Sequence, residues 1–387
     1  MSEIKLSEYE IAKFLKGNAH SRRAFMAAFG ATAAAFTITS CSKGGDGAKP
    51  ITSAGKFKID GSEAKKLQFY NWDTYIGENT LSDFKSDTGV EVSMSLFSSN
   101  DELFAKFHEG NPGYDVIMPS NEYVTRMAEA KIIQPLDHAK IPNMKNIDPD
   151  FLNPEFDPGR KFSMPYTWLV LGIGYRKSAM KNGQIPDSWK YVLDSDEYAG
   201  KIALLGESLD LFRLTFKYLG KSVNDYSPEL LKQASDILVK QKKNVKRFHE
   251  DDGQEMLLKK EVDLVIEYNG DIAQAKTEDD DLDFLIPKEG SLLNSDCMCI
   301  PVGALSPNNA HGFINYLLDA QKGADISKTI LYPTPNAAAK ALMDDSYKNN
   351  PIIFPPKEAL AKCEYGKFLG AKVSQEIEGA MTHIRAE

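Results

Sequence analysis

Short apolar runs alternate with helix-like segments along most of the chain. The first run, residues 67–70, follows a polar segment and precedes a helix-like stretch that starts at Glu78. Runs of this length, rich in aromatic and β-branched residues, are typical of buried strands. The pattern predicts strands at residues 67–70, 90–97, 114–118, 168–175, 201–205, 262–267, 282–286 and 296–301.

Helices are predicted between these strands, at residues 79–86, 100–108, 209–219 and 228–241, and from Asn308 onward. Residues 131–161 are rich in Pro, Asn and Asp with weak periodicity, which indicates long surface connections. Strands that alternate with helices predict an α/β fold with parallel-type sheets, and here the rhythm occurs twice. We expect the crossover to a second lobe near residues 168–175.

Aromatic and acidic side chains follow the first predicted strand. Trp72, Asp73 and Tyr75 come directly after it. In open α/β sheets, ligands bind outside the carboxyl ends of the strands, so these residues would face a ligand crevice. An aromatic face beside a carboxylate suits an organic cation. The alternative is that the two aromatic residues pack under a loop.

Other predicted strand ends also carry polar residues. Ser120 follows the third strand, Glu207 and Asp210 follow residues 201–205, and Tyr268 and Asp271 follow residues 262–267. The carboxylates of Glu207, Asp210 and Asp271 could bind a cation. The alternative for Glu207 and Asp210 is a helix-start pair that favours the helix dipole. Asp271, and Asp296 at the start of a strand, could likewise be ordinary helix caps.

The N-terminus has the features of an export signal. Arg22 and Arg23 form a twin-arginine element before the apolar segment 27–38, which is too short to span a membrane as a mature helix. Ile38 lies three residues before Cys41, with small residues between, as in the lipobox of bacterial lipoproteins. We therefore expect a signal peptide at residues 1–40, lipidation of Cys41 and a flexible linker over residues 41–65. The alternative is an ordinary secretory signal in which Cys41 is incidental.

Composition and charge narrow the function classes. The chain has 387 residues, enough for two domains, with 42% hydrophobic and 26% charged residues, which is typical of globular proteins. Residues 1–40 contain five basic and three acidic side chains, so their removal changes the formal net charge from −9 to −11. An acidic body disfavours nucleic acid and is compatible with a cationic ligand.

The cysteines predict neither a disulfide framework nor a zinc site. Besides Cys41 the chain has Cys297, Cys299 and Cys363, an odd number that cannot all pair. Cys297 and Cys299 lie at i and i+2 on a predicted strand, near the upper limit of disulfide reach, and they lack the Cys and His neighbours of a zinc site. We expect them to be small buried apolar residues.

Several strand-end segments together resemble a known family. These segments are Tyr70-Asn71-Trp72-Asp73-Thr74-Tyr75, Pro119-Ser120, Pro165-Tyr166-Thr167-Trp168, Pro287-Lys288-Glu289-Gly290 and Tyr332-Pro333-Thr334-Pro335-Asn336. In this order and spacing, over most of residues 67–387, the chain resembles the spermidine/putrescine-binding proteins of bacterial polyamine ABC transporters.

The resemblance implies a two-lobed periplasmic-binding-protein-like fold with two mixed sheets and a hinged ligand cleft. Residues 66–169 with 295–339 would form the first lobe, and residues 170–294 with 340–387 the second. It also implies no catalysis, no cofactor or metal, and a monomer that delivers a polyamine to an ABC permease and its ATPase. The location would be the periplasm or cell surface, with a lipid anchor.

The resemblance also assigns cleft residues. It implies that the aromatic walls of the cleft are Trp72, Tyr75, Tyr268 and Tyr332. The acids that contact amines would be Glu207, Asp210 and Asp271. Ser120 would make a polar contact, and Asp296 would hold a terminal ammonium group. Three positions depart from the family pattern: Asn294 replaces a frequent aromatic residue, Glu122 replaces a Tyr of spermidine-selective members, and Gly366 lies near a position that contributes Gln there. Fewer rings and one extra acid favour a polyamine-like cation without naming one.

Two alternative functions remain open. The same fold could bind an amino acid, a sugar or a ferric ion, although none of the six His residues follows a predicted strand near these acids. An exported glycoside hydrolase could use Glu207 and Asp210 as its carboxylate pair, which requires one acid to be held protonated in an apolar niche. No nucleophile elbow, Walker loop, H-E-x-x-H or dinucleotide fingerprint occurs.

Overall fold

The computed structural model describes residues 59, 61–73, 75–250 and 252–386. The predicted signal peptide, Cys41 and most of the predicted linker therefore lie outside the described residues. Among the described residues, no helix has the length and apolar character needed to cross a membrane.

Twelve strands occur in the described part of the chain. They are β1 (Lys66–Asn71), β2 (Glu91–Leu96), β3 (Val116–Ile117), β4 (Ser163–Pro165), β5 (Leu169–Arg176), β6 (Ile202–Leu205), β7 (Val245–His249), β8 (Leu264–Tyr268), β9 (Leu282–Leu285), β10 (Leu292–Asn294), β11 (Cys297–Cys299) and β12 (Glu364–Tyr365).

The α-helices of the described residues lie mainly between these strands and after β11. They are α1 (Thr80–Thr88), α2 (Asn100–His108), α3 (Asn121–Glu129), α4 (Lys190–Leu193), α5 (Ser208–Tyr218), α6 (Pro228–Lys242), α7 (Gly253–Leu258), α8 (Asn269–Lys276), α9 (Pro307–Leu317), α10 (Ala320–Ile330), α11 (Ala337–Leu342), α12 (Asp345–Lys348), α13 (Lys357–Leu360) and α14 (Ala371–Ala386). Short 3-10 helices cover His138–Lys140, Pro142–Asn146, Pro149–Phe151, Pro158–Arg160, Lys177–Ala179 and Lys181–Gly183.

The first lobe is built on a five-stranded sheet with the order β2-β1-β3-β11-β4. Strand β1 pairs in parallel with β2 and β3, whereas β11 is antiparallel to β3 and β4. Leu67, Phe69 and Tyr70 of β1 are fully buried because helices cover both faces of the sheet. Because β1 and β3 are parallel neighbours, their carboxyl ends lie side by side, and the residues that follow them lie at one edge of the sheet.

The second lobe is built on a seven-stranded sheet with the order β12-β10-β5-β8-β6-β7, and β9 also pairs with β5. Strands β6 and β8 are parallel, whereas β5 is antiparallel to β8 and β9. The C-terminal helix α14 packs against α5 and α6 on this lobe. The α/β fold with two mixed sheets is therefore confirmed, while the residue boundaries of the two lobes stay a prediction.

Two of the segments that join the lobes lie next to each other. The chain passes from β4 to β5 through Tyr166–Trp168, and from β10 to β11 through Ser295 and Asp296. The amides of Tyr166 and Thr167 donate to the Asp296 carbonyl at 2.9 and 3.3 Å, and Ser295 Oγ donates to the Thr167 carbonyl at 2.9 Å. The two crossovers therefore support each other and fix the position of Asp296.

Some predicted elements were incomplete. The region 131–161, interpreted as surface connections, contains four 3-10 helices and buries side chains such as Ile141, Ile147 and Arg160. Strands β4, β7, β10 and β12 were missed because three are only two or three residues long, and β7 has an exposed, basic centre. The prediction for Cys297 and Cys299 is confirmed, since both are buried, unpaired thiols on β11.

Candidate ligand-binding cleft

A cleft of about 580 Å³ lies between the two lobes and is lined by residues of both. All twelve residues predicted to contact a ligand line this cleft; they are Trp72, Asp73, Tyr75, Ser120, Glu122, Glu207, Asp210, Tyr268, Asp271, Asn294, Asp296 and Tyr332. They meet there because most of them follow strand ends of the two sheets, which face each other across the cleft. Whether each contacts a ligand stays a prediction.

Asp296 is the most firmly held acid of the cleft. Ser120 Oγ donates to its Oδ1 at 2.8 Å, and Tyr75 OH donates to its Oδ2 at 2.8 Å. Thr167 Oγ1 lies 2.5 Å from the Tyr75 hydroxyl oxygen and donates to it, since the tyrosine proton is already used. Asp296 is 6% exposed and caps no helix, because it lies just before β11 and bridges to Ser120 through its backbone. The carboxylate is therefore preorganised by hydrogen bonds to its charged form.

Aromatic residues surround this acid. The Tyr75 and Tyr332 rings pack edge to face with centroids 5.2 Å apart. Tyr332 OH donates to Asp271 Oδ2 at 2.7 Å, so a second carboxylate is oriented by the same aromatic pair. An added Cβ on Gly270 would lie 2.4 Å from the Tyr332 ring, so only glycine lets the ring approach this closely.

Trp72 combines the two roles considered for it. Its Nε1 donates to the Met118 carbonyl at 2.9 Å, and its ring packs against Phe97 with centroids 4.3 Å apart. The side chain is half-buried and also lines the cleft. Packing against the core therefore holds one part of the indole while another part faces the cleft.

Glu207 and Asp210 belong to the start of α5 but serve it unequally. Glu207 occupies the N-cap position and makes no side-chain capping hydrogen bond. Asp210 lies in the first turn, where its Oδ2 accepts from Tyr268 OH at 3.2 Å and from Asn294 Nδ2 at 3.5 Å. Asn294, where an aromatic residue was expected from the family, thus acts as a hydrogen-bond donor to this acid. The helix-start alternative does not account for these contacts.

Burial raises the pKa of several cleft carboxyls. It raises the pKa of Asp296 to about 6 against the opposing effect of the Ser120 and Tyr75 hydrogen bonds. Burial, with the nearby charge of Asp210 next in importance, raises the pKa of Glu207 to about 8. The pKa of Asp271 is also raised, by burial and then by the charge of Glu267. A nearby positive charge would stabilise the ionised form of these buried carboxyls, so the cleft is a favourable environment for a cation.

The sequence did not single out several further acids of the cleft. Asp101, Glu250, Glu255, Glu278 and Glu378 also line it. Most of these residues lie on α2, α7 and α14 or beside them, away from the strand ends that guided the prediction. The acidic residues of the lining outnumber the basic ones. Among the described residues that line the cleft, Arg126 is the single Arg or Lys. The cleft is thus strongly acidic.

Comparisons with known proteins agree with this geometry. A family model for bacterial extracellular solute-binding proteins matches residues 79–355. The chain is similar to the putrescine-binding periplasmic protein PotF of Escherichia coli strain K12, with 32% identity over 343 residues that cover 84% of this chain and 92% of that protein. It is also similar to the spermidine/putrescine-binding periplasmic protein of the same organism, with 33% identity over 312 residues covering 80% and 88% of the two chains.

A solved structure shows the same fold. The spermidine/putrescine ABC transporter substrate-binding protein PotD of Streptococcus pneumoniae superposes with a TM-score of 0.74 and 29% identity, over 84% of this chain and 99% of that chain. The family resemblance of the strand-end segments is therefore confirmed. The chain belongs to the bacterial extracellular solute-binding proteins, in the part of that family that contains the spermidine/putrescine-binding periplasmic proteins.

Proposed function

We propose that this protein captures a polyamine outside the cytoplasm and delivers it to an ABC permease driven by an ATPase. The observation that carries the proposal is the set of buried carboxylates, above all Asp296, held beside aromatic rings in a cleft between two lobes. The names of the relatives, which bind putrescine or spermidine, support the same ligand class.

The chemistry of a polyamine matches such a cleft. Its ammonium groups are separated by methylene segments, so a site needs carboxylates spaced along a groove with apolar walls. A hydrogen bond to a charged group contributes roughly 1.5–3 kcal/mol, and a cation over a ring about 0.5–2 kcal/mol. The sum of three or four such contacts falls in the range of the roughly −8 kcal/mol that corresponds to micromolar affinity.

Closure of the two lobes would assemble the site. Trp72, Tyr75, Ser120 and Asp296 would approach the ligand from the first lobe. Glu207, Asp210, Tyr268 and Asp271 would approach it from the second. The crossover segments near Tyr166 and Asp296 are two of the covalent links about which such a hinge motion would occur.

A binding role fits the carboxylates better than hydrolysis. Burial does raise the pKa of Glu207 to about 8, a feature that the sequence did not reveal and that a general acid would need. Its neighbour Asp210, however, is engaged by Tyr268, Asn294 and the Arg213 guanidinium. An acid with both oxygens occupied is a poor nucleophile or base, and the relatives are named as putrescine- or spermidine-binding proteins.

Isothermal titration of the mature body, residues 42–387, with putrescine, cadaverine, spermidine and spermine tests this function. We expect saturable binding of at least one of them at micromolar or tighter affinity. Absence of binding for all four would contradict the proposal.

The role of Asp296 is tested in the same titration. Asp296→Asn keeps the size of the side chain but removes the charge, so we expect affinity to fall by tenfold or more while the fold is retained. Asp236→Asn, at an exposed acid of α6, is the matched control and should bind as the wild type does. Unchanged affinity of Asp296→Asn would remove Asp296 from the site.

Binding is expected to strengthen as the pH rises from about 6 to about 8. The free protein loses the proton of Asp296 near the lower end of this range and that of Glu207 near the upper end, because burial raises the pKa of these carboxyls to about 6 and about 8. A bound ammonium favours the ionised carboxylates, so binding releases protons. The number of protons released follows from titrations in buffers of different ionisation enthalpy.

The stability that these raised pKa values contribute to the free protein is present at low pH and is lost as the pH rises through them. The melting temperature should therefore fall over this range while the shift caused by putrescine grows. Affinity that is flat with pH, without proton release, would contradict this assignment.

We propose that the protein is exported by the twin-arginine route and anchored through Cys41. The support is the sequence alone, from Arg22 and Arg23 to the lipobox-like segment before Cys41. We expect Cys41→Ser to move the protein from the membrane fraction to the soluble fraction, whereas the control Cys363→Ser should remain with the membrane. Replacing both arginines by lysine should cause the unprocessed precursor to accumulate. A Cys41→Ser protein that still fractionates with the membrane would contradict the anchor.

A further inference from the structure

A buried arginine connects the two lobes beside the cleft. Arg213, on α5 of the second lobe, places Nη1 2.6 Å from Oε2 of Glu122, on α3 of the first lobe. The same Nη1 lies 3.5 Å from Asp210 Oδ1, one turn earlier on α5. The side chain of Arg213 is 1% exposed and that of Glu122 is 10% exposed. The guanidinium thus bridges two carboxylates that line the cleft.

The surrounding backbone leaves a place for this guanidinium. An added Cβ on Gly366 would lie 2.7 Å from Arg213 Nη1 and 3.0 Å from Cζ, so a side chain at this position would displace it. The Gly366 carbonyl accepts from Asn121 Nδ2 at 2.8 Å, and the Lys367 carbonyl accepts from Arg213 Nη2. Two positions that depart from the family pattern, Glu122 and Gly366, are therefore joined through one side chain.

The bridge changes the number of acids available to a ligand. Arg213 neutralises Glu122, and it engages one oxygen of Asp210 while Tyr268 and Asn294 engage the other. An additional ammonium brought to this place would meet a fixed positive charge in a desolvated setting, where like-charge repulsion is strong. The remaining acids of the twelve predicted positions are Asp73, Glu207, Asp271 and Asp296.

We infer that Arg213 is a built-in counter-cation that limits the length of the ligand and makes this site prefer a diamine over a triamine. This inference rests on the proposed polyamine-binding function. Arg213 occupies the carboxylate pair, Glu122 and Asp210, that would otherwise hold a further ammonium group. Its contact with Glu122 also joins α5 of the second lobe to α3 of the first.

Titrations with putrescine and spermidine test this inference at one pH and one ionic strength. The wild type should bind putrescine at least tenfold more tightly than spermidine. Arg213→Gln frees Glu122, so the affinity ratio should shift toward spermidine by tenfold or more. Glu122→Gln combined with Arg213→Gln removes both charges of the shorter contact and leaves only the more distant Asp210 oxygen released. This double variant should therefore lose most of that shift, which separates a specific contact from a general increase in negative charge.

Each outcome of these titrations is decisive. A wild type that prefers spermidine, or an Arg213→Gln variant that lowers both affinities equally or leaves the ratio unchanged, would overturn the inference. A wild type that binds neither of these two polyamines, nor cadaverine or spermine, would contradict the proposed function instead.

A second variant keeps the test decisive if Arg213→Gln fails to fold, since removal of one partner leaves an uncompensated buried charge. Gly366→Ala retains all charges but places a Cβ where the guanidinium lies, so it should shift the ratio toward spermidine. Gly379→Ala, on α14 with open space around the added Cβ, is the matched control and should leave the ratio unchanged. Circular dichroism confirms that each variant is folded. An unchanged ratio in folded Gly366→Ala would overturn the inference.

Discussion

The hydrogen-bonded pair of crossover segments is the constraint on which the site depends. The backbone amides of Tyr166 and Thr167 donate to the backbone carbonyl of Asp296, where these two segments of the chain pass between the lobes. Because the backbone of Asp296 is fixed there, its carboxylate reaches Ser120 and Tyr75 at 2.8 Å each. An acid at the hinge is in a position that lobe closure changes least, so under the proposed function it would hold one end of the ligand while the second lobe moves.

Around this fixed acid, the cleft concentrates carboxylates that burial makes costly to ionise. The raised pKa values of Asp296, Glu207 and Asp271 have the same primary cause, which is loss of water. Such an arrangement lowers the stability of the free protein at neutral and alkaline pH, and under the proposed function a bound cation would reverse this effect. A loss of stability at a binding site is expected where the residues needed for function are not those that stabilise the fold best.

Much of the fold, and some residues of the cleft, could be predicted from the sequence because they follow from local patterns. Other cleft residues, such as Glu122, Asn294 and Tyr332, were assigned only through the family resemblance. The strand at residues 67–70 is short and apolar, so its end and the residues Trp72 and Tyr75 could be placed from the alternation of strands and helices. Strands β10 and β12 could not, since two or three residues carry no periodicity. The contact between Glu122 and Arg213 spans 91 residues of sequence and joins two lobes, so no local pattern indicates it. The raised pKa of Glu207 also depends on tertiary burial and was missed for the same reason.

A crystal structure of the mature body with putrescine would test the central claim most directly, because it locates the ligand relative to the hinge acid. We predict one ammonium group within hydrogen-bond distance of the Asp296 carboxylate, with the methylene chain against the Trp72 and Tyr332 rings. A putrescine molecule bound elsewhere, or one in the cleft without contact to Asp296, would contradict the claim.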